Sequence, residues 1–302
     1  PAIFRAKKVV VAGDPNQLKH YSFVSKNQES NLQKKFQLPK EAFFNYRDKS
    51  ILDLYLTKVQ SQQQVNFLKE HFRSTPSLIE FNNQQFYDGQ LEIMKSTPEF
   101  TSFKQISIEY LHGSRDSKGI NDIEARQVIR KISELITKYK GQKEVPSVGV
   151  ITPFASQVKH INGLISRLFD YDDIKKFNLI CGTPYTFQGS EREIILISFT
   201  VCNNTHHSAY NHLNKAEVLN VGTTRAKTFQ YVYTSVKKTD LHKDSLFYKY
   251  LSFIENYQYY KKEVPTEEDH FQNEIVEYLK GLNIENINFS YPLAGSILDI
   301  FF

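Results

Sequence analysis

Five short segments carry residue types and spacings suited to phosphate and nucleotide chemistry. The run Lys7 to Asp14 is apolar at its centre and reads as a parallel strand buried on both faces. It ends in Gly13-Asp14-Pro15-Asn16-Gln17-Leu18, and open α/β sheets bind ligands at the carboxyl ends of their strands. Asp14 and Gln17 there suit positioning a water or reporting on a terminal phosphate and its magnesium, although the same string has ordinary turn chemistry. Glu70-His71-Phe72-Arg73-Ser74-Thr75-Pro76 opens a capped helix, where Arg73 can face a nucleotide and Phe72 can stack on its base. The plain alternative is a capped surface turn.

In Val148 to Gln157 a buried strand breaks at Thr152-Pro153 into a helix, and Thr152 with the following amides forms a seat for a backbone phosphate. An ordinary helix start reads the same way. Thr186-Phe187-Gln188-Gly189-Ser190-Glu191 precedes an apolar strand; Gly189 lets backbone approach a ligand closely, and Glu191 suits a ribose hydroxyl. Asn220 to Lys227 places Arg225 among small residues, as an arginine finger or as a salt-bridged surface arginine.

The elements that must position these segments alternate. Strands are expected over 65–68, 105–111, 147–152, 178–182, 193–200 and 229–235, and helices over 76–86, 121–140, 154–168, 215–219 and 244–257. Strands alternating with helices predict an α/β, doubly wound parallel sheet. Residues 20–64 are polar and Gln/Asn-rich, a connector with one or two helices, one of them around Ser50 to Leu56. The charged stretch 257–269 reads as a linker, followed by a helix near 270–281 and a strand ending at Phe302.

At 302 residues the chain is long enough for about two domains of roughly 150 residues. Hydrophobic residues at 40% and charged residues at 24% describe a globular protein. The longest apolar stretch, Ile194 to Cys202, is about half of the ~18 residues a spanning helix needs, which argues against a membrane protein. Two cysteines cannot build a disulfide framework or a four-thiolate zinc site, so a reducing, cytoplasmic setting is expected. The net charge of +5 permits nucleic-acid binding without requiring it, and the 23 Phe and 18 Tyr serve mainly packing. His206, His207 and His212 lack the Cys or carboxylate partners of a zinc site and read as a solvated loop.

Taken in order and spacing, the five segments resemble motifs III, IV, the Thr-Pro phosphate motif, V and VI of superfamily 1 helicases, over about residues 1–235. The branch resembled is the 5′→3′ one that includes the nonsense-mediated-decay and replication helicases. "GDPNQLKHYSF" looks most like bacterial proteins that pair such a motor with a C-terminal nuclease. The resemblance implies a RecA-like, P-loop NTPase type of parallel sheet flanked by helices, with a truncated α+β tail. It divides the chain into a remnant of a first RecA-like domain (1–35), a helical connector (36–64), a second RecA-like domain (65–258), a linker (259–269) and the start of a nuclease-like domain (270–302).

The cofactors implied are ATP and Mg2+. The partners implied are single-stranded DNA or RNA and the first RecA-like domain of the same protein, with no membrane. Gln17 would sense the γ-phosphate beside Asp14, Phe72 would stack near the adenine, and Arg73 and Arg225 would reach the γ-phosphate. Thr152, Pro153 and Gln157 would hold strand phosphates, and Gln188, Gly189 and Glu191 would line the cleft where nucleotide and strand are coupled.

Pro184-Tyr185 and Gly222-Thr223 depart from the family's usual residues, the first of them where the strand would be contacted. No Gly-x-x-x-x-Gly-Lys-Ser/Thr occurs in the chain, so this stretch alone is expected to be inactive as an ATPase and to be part of a longer protein. In the tail, Glu274 on an amphipathic helix and Asp299 in a strand look similar to the opening of a PD-(D/E)xK nuclease of the very-short-patch-repair kind, an incomplete magnesium site. Two other functions stay open: a motor that mainly targets such a nuclease, and a binding module without turnover. No motif here encodes a contact to a 2′-hydroxyl, which is what separates RNA from DNA.

Overall fold

The computed structural model describes residues 5–20, 22–38, 47–59, 65–97, 104–257, 270–284, 286–294 and 296–301. The chain divides into two compact units, Pro1–Leu68 and Lys69–Phe302. The expected linker over 259–269 lies outside the described residues, as do parts of the connector.

The described part of the first unit holds α1 (Lys26–Lys35) and α2 (Ile51–Leu56), each opened by a capping box, on Ser25 and Ser50. Residues 7–14 correct an expectation, because they form no strand and Val10 is 94% exposed. A strand exists by pairing, and none of the described strands pairs with this run.

The second unit is built on a five-stranded, wholly parallel sheet of order β3-β7-β6-β4-β5. Its strands are β3 (Ile106–Tyr110), β4 (Val148–Ile151), β5 (Ile180–Gly182), β6 (Arg192–Cys202) and β7 (Ala226–Ser235). The short strands β1 (Glu70–His71) and β2 (Glu92–Ile93) pair with each other instead. The expected strand at 65–68 is not formed; pairing begins only at Glu70, opposite Glu92.

Side chains alternate along β6. Ile195, Ile197 and Phe199 enter one core, together with Leu78 and Phe81 of α3 (Pro76–Phe86) and Phe247, Tyr250 and Ile254 of α9 (Leu246–Asn256). Ile194 and Leu196 enter the opposite core against Val128 and Ile132 of α4 (Asp122–Lys138) and Ile161 and Ile165 of α5 (Ala155–Leu168). Burial on both faces is why these strands read as continuous apolar runs. The α/β class with helices on both faces of a parallel sheet is therefore as expected.

Three further helices close the unit: α6 (Tyr171–Lys176), α7 (His207–Leu213) and α8 (Ala216–Thr223). The tail carries α10 (His270–Gly281) and an antiparallel hairpin of β8 (Asn288–Leu293) and β9 (Ser296–Phe301). Its Ala294 amide donates to the Ser96 carbonyl at 3.2 Å. No helix among the described residues is long and apolar enough to cross a membrane.

One glycine is demanded by packing. A Cβ on Gly149 of β4 would lie 2.7 Å from Cδ1 of Ile195 and 2.8 Å from Cε1 of Phe187, whose ring is fully buried. Gly149→Ala is expected to destabilise the protein by about 1–3 kcal/mol through overpacking. Urea unfolding measures this, and an unchanged midpoint would contradict it.

Candidate functional site

In a parallel sheet every strand starts at one edge and ends at the other, so the candidate residues sort themselves by edge. Glu191 directly precedes β6, and Arg225 directly precedes β7. The Arg192 amide donates to the Arg225 carbonyl at 3.1 Å, which ties the two strand starts together.

Arg73 comes to this edge from the turn between β1 and α3. Two bonds shape that turn: the Ser74 amide donates to His71 Nε2 at 3.1 Å, and Ser74 Oγ donates to the Ala226 carbonyl at 2.7 Å. Arg73 Nε then donates to Glu191 Oε2 at 2.6 Å, and its Nη1 donates to the Thr224 carbonyl at 3.2 Å. The other oxygen of Glu191 pairs with Lys227 Nζ at 2.8 Å. Bonds from Lys227 and Arg73 hold the Glu191 carboxyl below the usual range.

Arg225 is only 1% exposed. Its Nε donates to the Val221 carbonyl at 3.0 Å, and Nη2 donates to Thr224 Oγ1 at 3.1 Å. Asn82 fixes α8 beneath it, donating to Asn220 Oδ1 and Thr223 Oγ1 at 3.1 and 2.8 Å. Phe72, beside Arg73, is 66% exposed. Gln188 and Gly189 lie on the exposed turn between β5 and β6, where Gly189 takes a φ of 79° that favours glycine. Segments far apart in sequence thus bring two arginines, Glu191 and Lys227 together at one edge. Lys227, which pattern reasoning passed over, carries one of the two ion pairs on Glu191.

The opposite edge holds an open groove of about 730 Å³, lined by residues that include Arg115, Phe154, Ser156, Asn204, His206 and His212. The Arg115 guanidinium lies 4.1 Å from the centre of the Phe154 ring, a cation–π contact. Pro153 lines this groove, but Thr152 and Gln157 lie sealed beneath it. Thr152 Oγ1 is 3.0 Å from Thr200 Oγ1, and Gln157 exchanges two 2.9 Å bonds with the backbone of Asn121. Their side chains therefore support the groove from below.

In the first unit Gln17 Nε2 donates to Asp14 Oδ2 at 2.8 Å, and the Asn16 amide donates to Asp14 Oδ1 at 2.9 Å, so Asp14 organises the turn that carries Gln17. In the tail, Glu274 and Asp299 are both exposed. Among the described residues no group of three or more His, Cys, Asp or Glu side chains could hold a metal ion.

Burial, reinforced by Arg73 and Arg225, pushes the His71 imidazole down from 6.5 to about 4. The folded protein therefore binds fewer protons there than the unfolded chain. The associated stability is present above about 6.5 and is lost as pH falls toward about 4. The His71→Gln variant, whose amide oxygen can still accept from Ser74, is expected to remove up to about 3 kcal/mol of that pH dependence. Thermal melts of both proteins between those pH values test it; parallel melting curves would contradict the assignment.

The profile of the AAA domain family matches residues 48–237. Among curated relatives, the helicase Sen1 of Schizosaccharomyces pombe is 25% identical over 76% of this chain and 13% of its own length. The helicase Sen1 of Saccharomyces cerevisiae is 27% identical over 81% of this chain and 11% of its own length. An uncharacterized ATP-dependent helicase of Methanocaldococcus jannaschii is 25% identical over 74% of this chain and 32% of its own length. The chain thus spans a third or less of the length of these relatives.

Proposed function

The chain belongs to the AAA domain family, alongside superfamily 1 helicases, and we propose that it forms the C-terminal motor half of an ATP-driven helicase or translocase acting on single-stranded nucleic acid. The observation that carries this reading is the meeting of Arg73, Glu191, Lys227 and the Thr224-Arg225 turn at the amino-terminal edge of β6 and β7. Phosphoryl transfer calls for cations aimed at the oxygens where charge develops, with little other chemistry for the protein to perform.

ATP, when bound, supplies the phosphoryl group that passes to water. Arg73 exchanges Glu191 for a phosphate oxygen, and Lys227 keeps the Glu191 carboxylate neutralised as it does so. Arg225 supplies the second positive charge, held in place by the Val221 carbonyl and the Thr224 hydroxyl. The exposed Phe72 ring offers a stacking face for the base. Asp14 and Gln17 act with the first motor domain, and we place Mg2+ with that domain. At the carboxyl-terminal edge the strand lies along the groove, where the Arg115–Phe154 pair and the polar groups around it suit phosphates and stacked bases.

The test is ATP turnover by the full-length protein with and without single-stranded DNA and RNA. Arg73→Ala and Arg225→Ala are each expected to lower strand-stimulated kcat by about 10³-fold or more. A folded full-length protein without strand-dependent turnover, or variants that turn over at the wild-type rate, would overturn the reading.

A further inference from the structure

Glu124 lies in the first turn of α4, a position where an acid normally faces solvent and favours the helix dipole. Here it is wholly buried and accepts four bonds from neutral donors. Ser198 Oγ and the Thr200 amide reach Oε2, both at 2.7 Å, and Ser235 Oγ and Asn121 Nδ2 reach Oε1 at 2.8 and 3.2 Å. The carboxylate thereby joins the ends of β6 and β7 to the start of α4.

The place where it does so is irregular. Ser198 pairs with Tyr233 and Cys202 with Ser235, so β6 spends four residue steps where β7 spends two. Within that bulge Thr200 takes a φ of 66°, which is unusual for any side chain and more so for a β-branched one. The Thr200 amide, having lost its place in the ladder, bonds to Glu124 instead, and its hydroxyl meets Thr152 at the end of β4. A bulge bends a strand and re-aims the residues beyond it.

Beyond this bulge the chain builds the groove wall. Cys202 Sγ accepts from the Arg115 amide at 3.1 Å, the Cys202 amide donates to Thr205 Oγ1 at 2.9 Å, and the Cys202 carbonyl accepts from Tyr210 Oη at 3.0 Å. Asn204 Nδ2 donates to the Arg115 carbonyl at 3.5 Å.

We propose that Glu124 is a positioning residue for nucleic-acid grip: it replaces the missing ladder partner at Thr200 and so holds the 202–206 turn and Arg115 in register across the groove. The proposal rests on the groove being the strand-binding face. Burial pushes the Glu124 carboxyl up to about 7, against hydrogen bonds from Ser198, Thr200 and Ser235 that pull it down. An acid kept in so costly a place is explained by a backbone conformation that an acceptor at this point sustains.

The experiment uses the full-length protein and measures binding of fluorescein-labelled oligo-dT and oligo-U, together with binding of a fluorescent ATP analogue. Glu124→Met keeps the volume but removes the acceptor. It is expected to weaken oligonucleotide binding by about tenfold, the scale of one lost charge-assisted hydrogen bond, with nucleotide affinity unchanged. Glu124→Gln should bind the strand more tightly than Glu124→Met, since its carbonyl oxygen can still accept from Ser198 and Thr200, while its amide can donate to the Ser235 hydroxyl but loses the bond from Asn121. Adding Thr200→Gly to Glu124→Met should restore much of the loss, because glycine keeps a positive φ without support. A general loss of stability would not be rescued in this way.

If Glu124→Met does not accumulate folded, Thr200→Val carries the test. It is expected to weaken strand binding several-fold at constant nucleotide affinity. Unchanged strand binding in Glu124→Met or Thr200→Val, or a parallel loss of strand and nucleotide affinity, would overturn the proposal. A folded wild-type protein that binds nucleotide but neither oligonucleotide would remove the strand-binding reading itself and this inference with it.

Discussion

The parallel ladder between β6 and β7 decides where every candidate side chain can stand. Because the two central strands run the same way, both starts meet at one edge, where Glu191 and Arg225 immediately precede them. Both ends meet at the other edge, where Thr200, Cys202 and Ser235 underlie the groove wall. An eleven-residue strand covers on the order of 30 Å, so one rigid element carries a cationic cluster at one end and a groove at the other. Helices packed on both faces leave the strands little freedom to bend.

Electrostatics give the amino-terminal edge its character. Arg73 and Lys227 divide one carboxylate between them, each taking one of its oxygens. Arg225 lies buried on a carbonyl and a hydroxyl, and His71 stays neutral between the two arginines. Both guanidinium groups are thereby held in fixed orientations at one edge of the sheet. The carboxyl-terminal edge is arranged the other way, with the Glu124 acid buried beneath it and a groove lined by Arg115, Asp116, Lys118, Phe154, Asn204 and histidines.

Much of the scaffold was legible from residue types. Pro76 at a helix start, the apolar stripe of the helix expected over 121–140, and the strands expected over 147–152 and 193–200 each marked an element whose burial followed. The run at 7–14 misled because apolarity supports a strand only where a partner exists. The two-residue pairing of Glu70 with Glu92 leaves no period to detect, and α7 sits in a polar, Asn-rich stretch that reads as loop. The site divided in the same way. Arg73, Glu191 and Arg225 stood out by type, while the ion pair that joins Arg73 to Glu191 spans 118 positions and had no local signal. Glu124 was concealed for the opposite reason: an acid in a first helical turn looks like a solvated dipole partner, and only the fold shows it surrounded by donors.

Nucleotide at the arginine cluster and nucleic acid in the groove would occupy opposite edges of one sheet. Photocrosslinking the full-length protein with an azido-ATP and, separately, with an oligonucleotide carrying photoreactive bases, with the adducts located by peptide mapping, tests it most directly. Occupation of opposite edges predicts nucleotide adducts on the segments around Phe72–Arg73 and Gln188–Glu191, and strand adducts around Arg115, Phe154 and Asn204–His206. Both probes marking the same edge, or strand adducts on the arginine cluster in place of the groove, would contradict it.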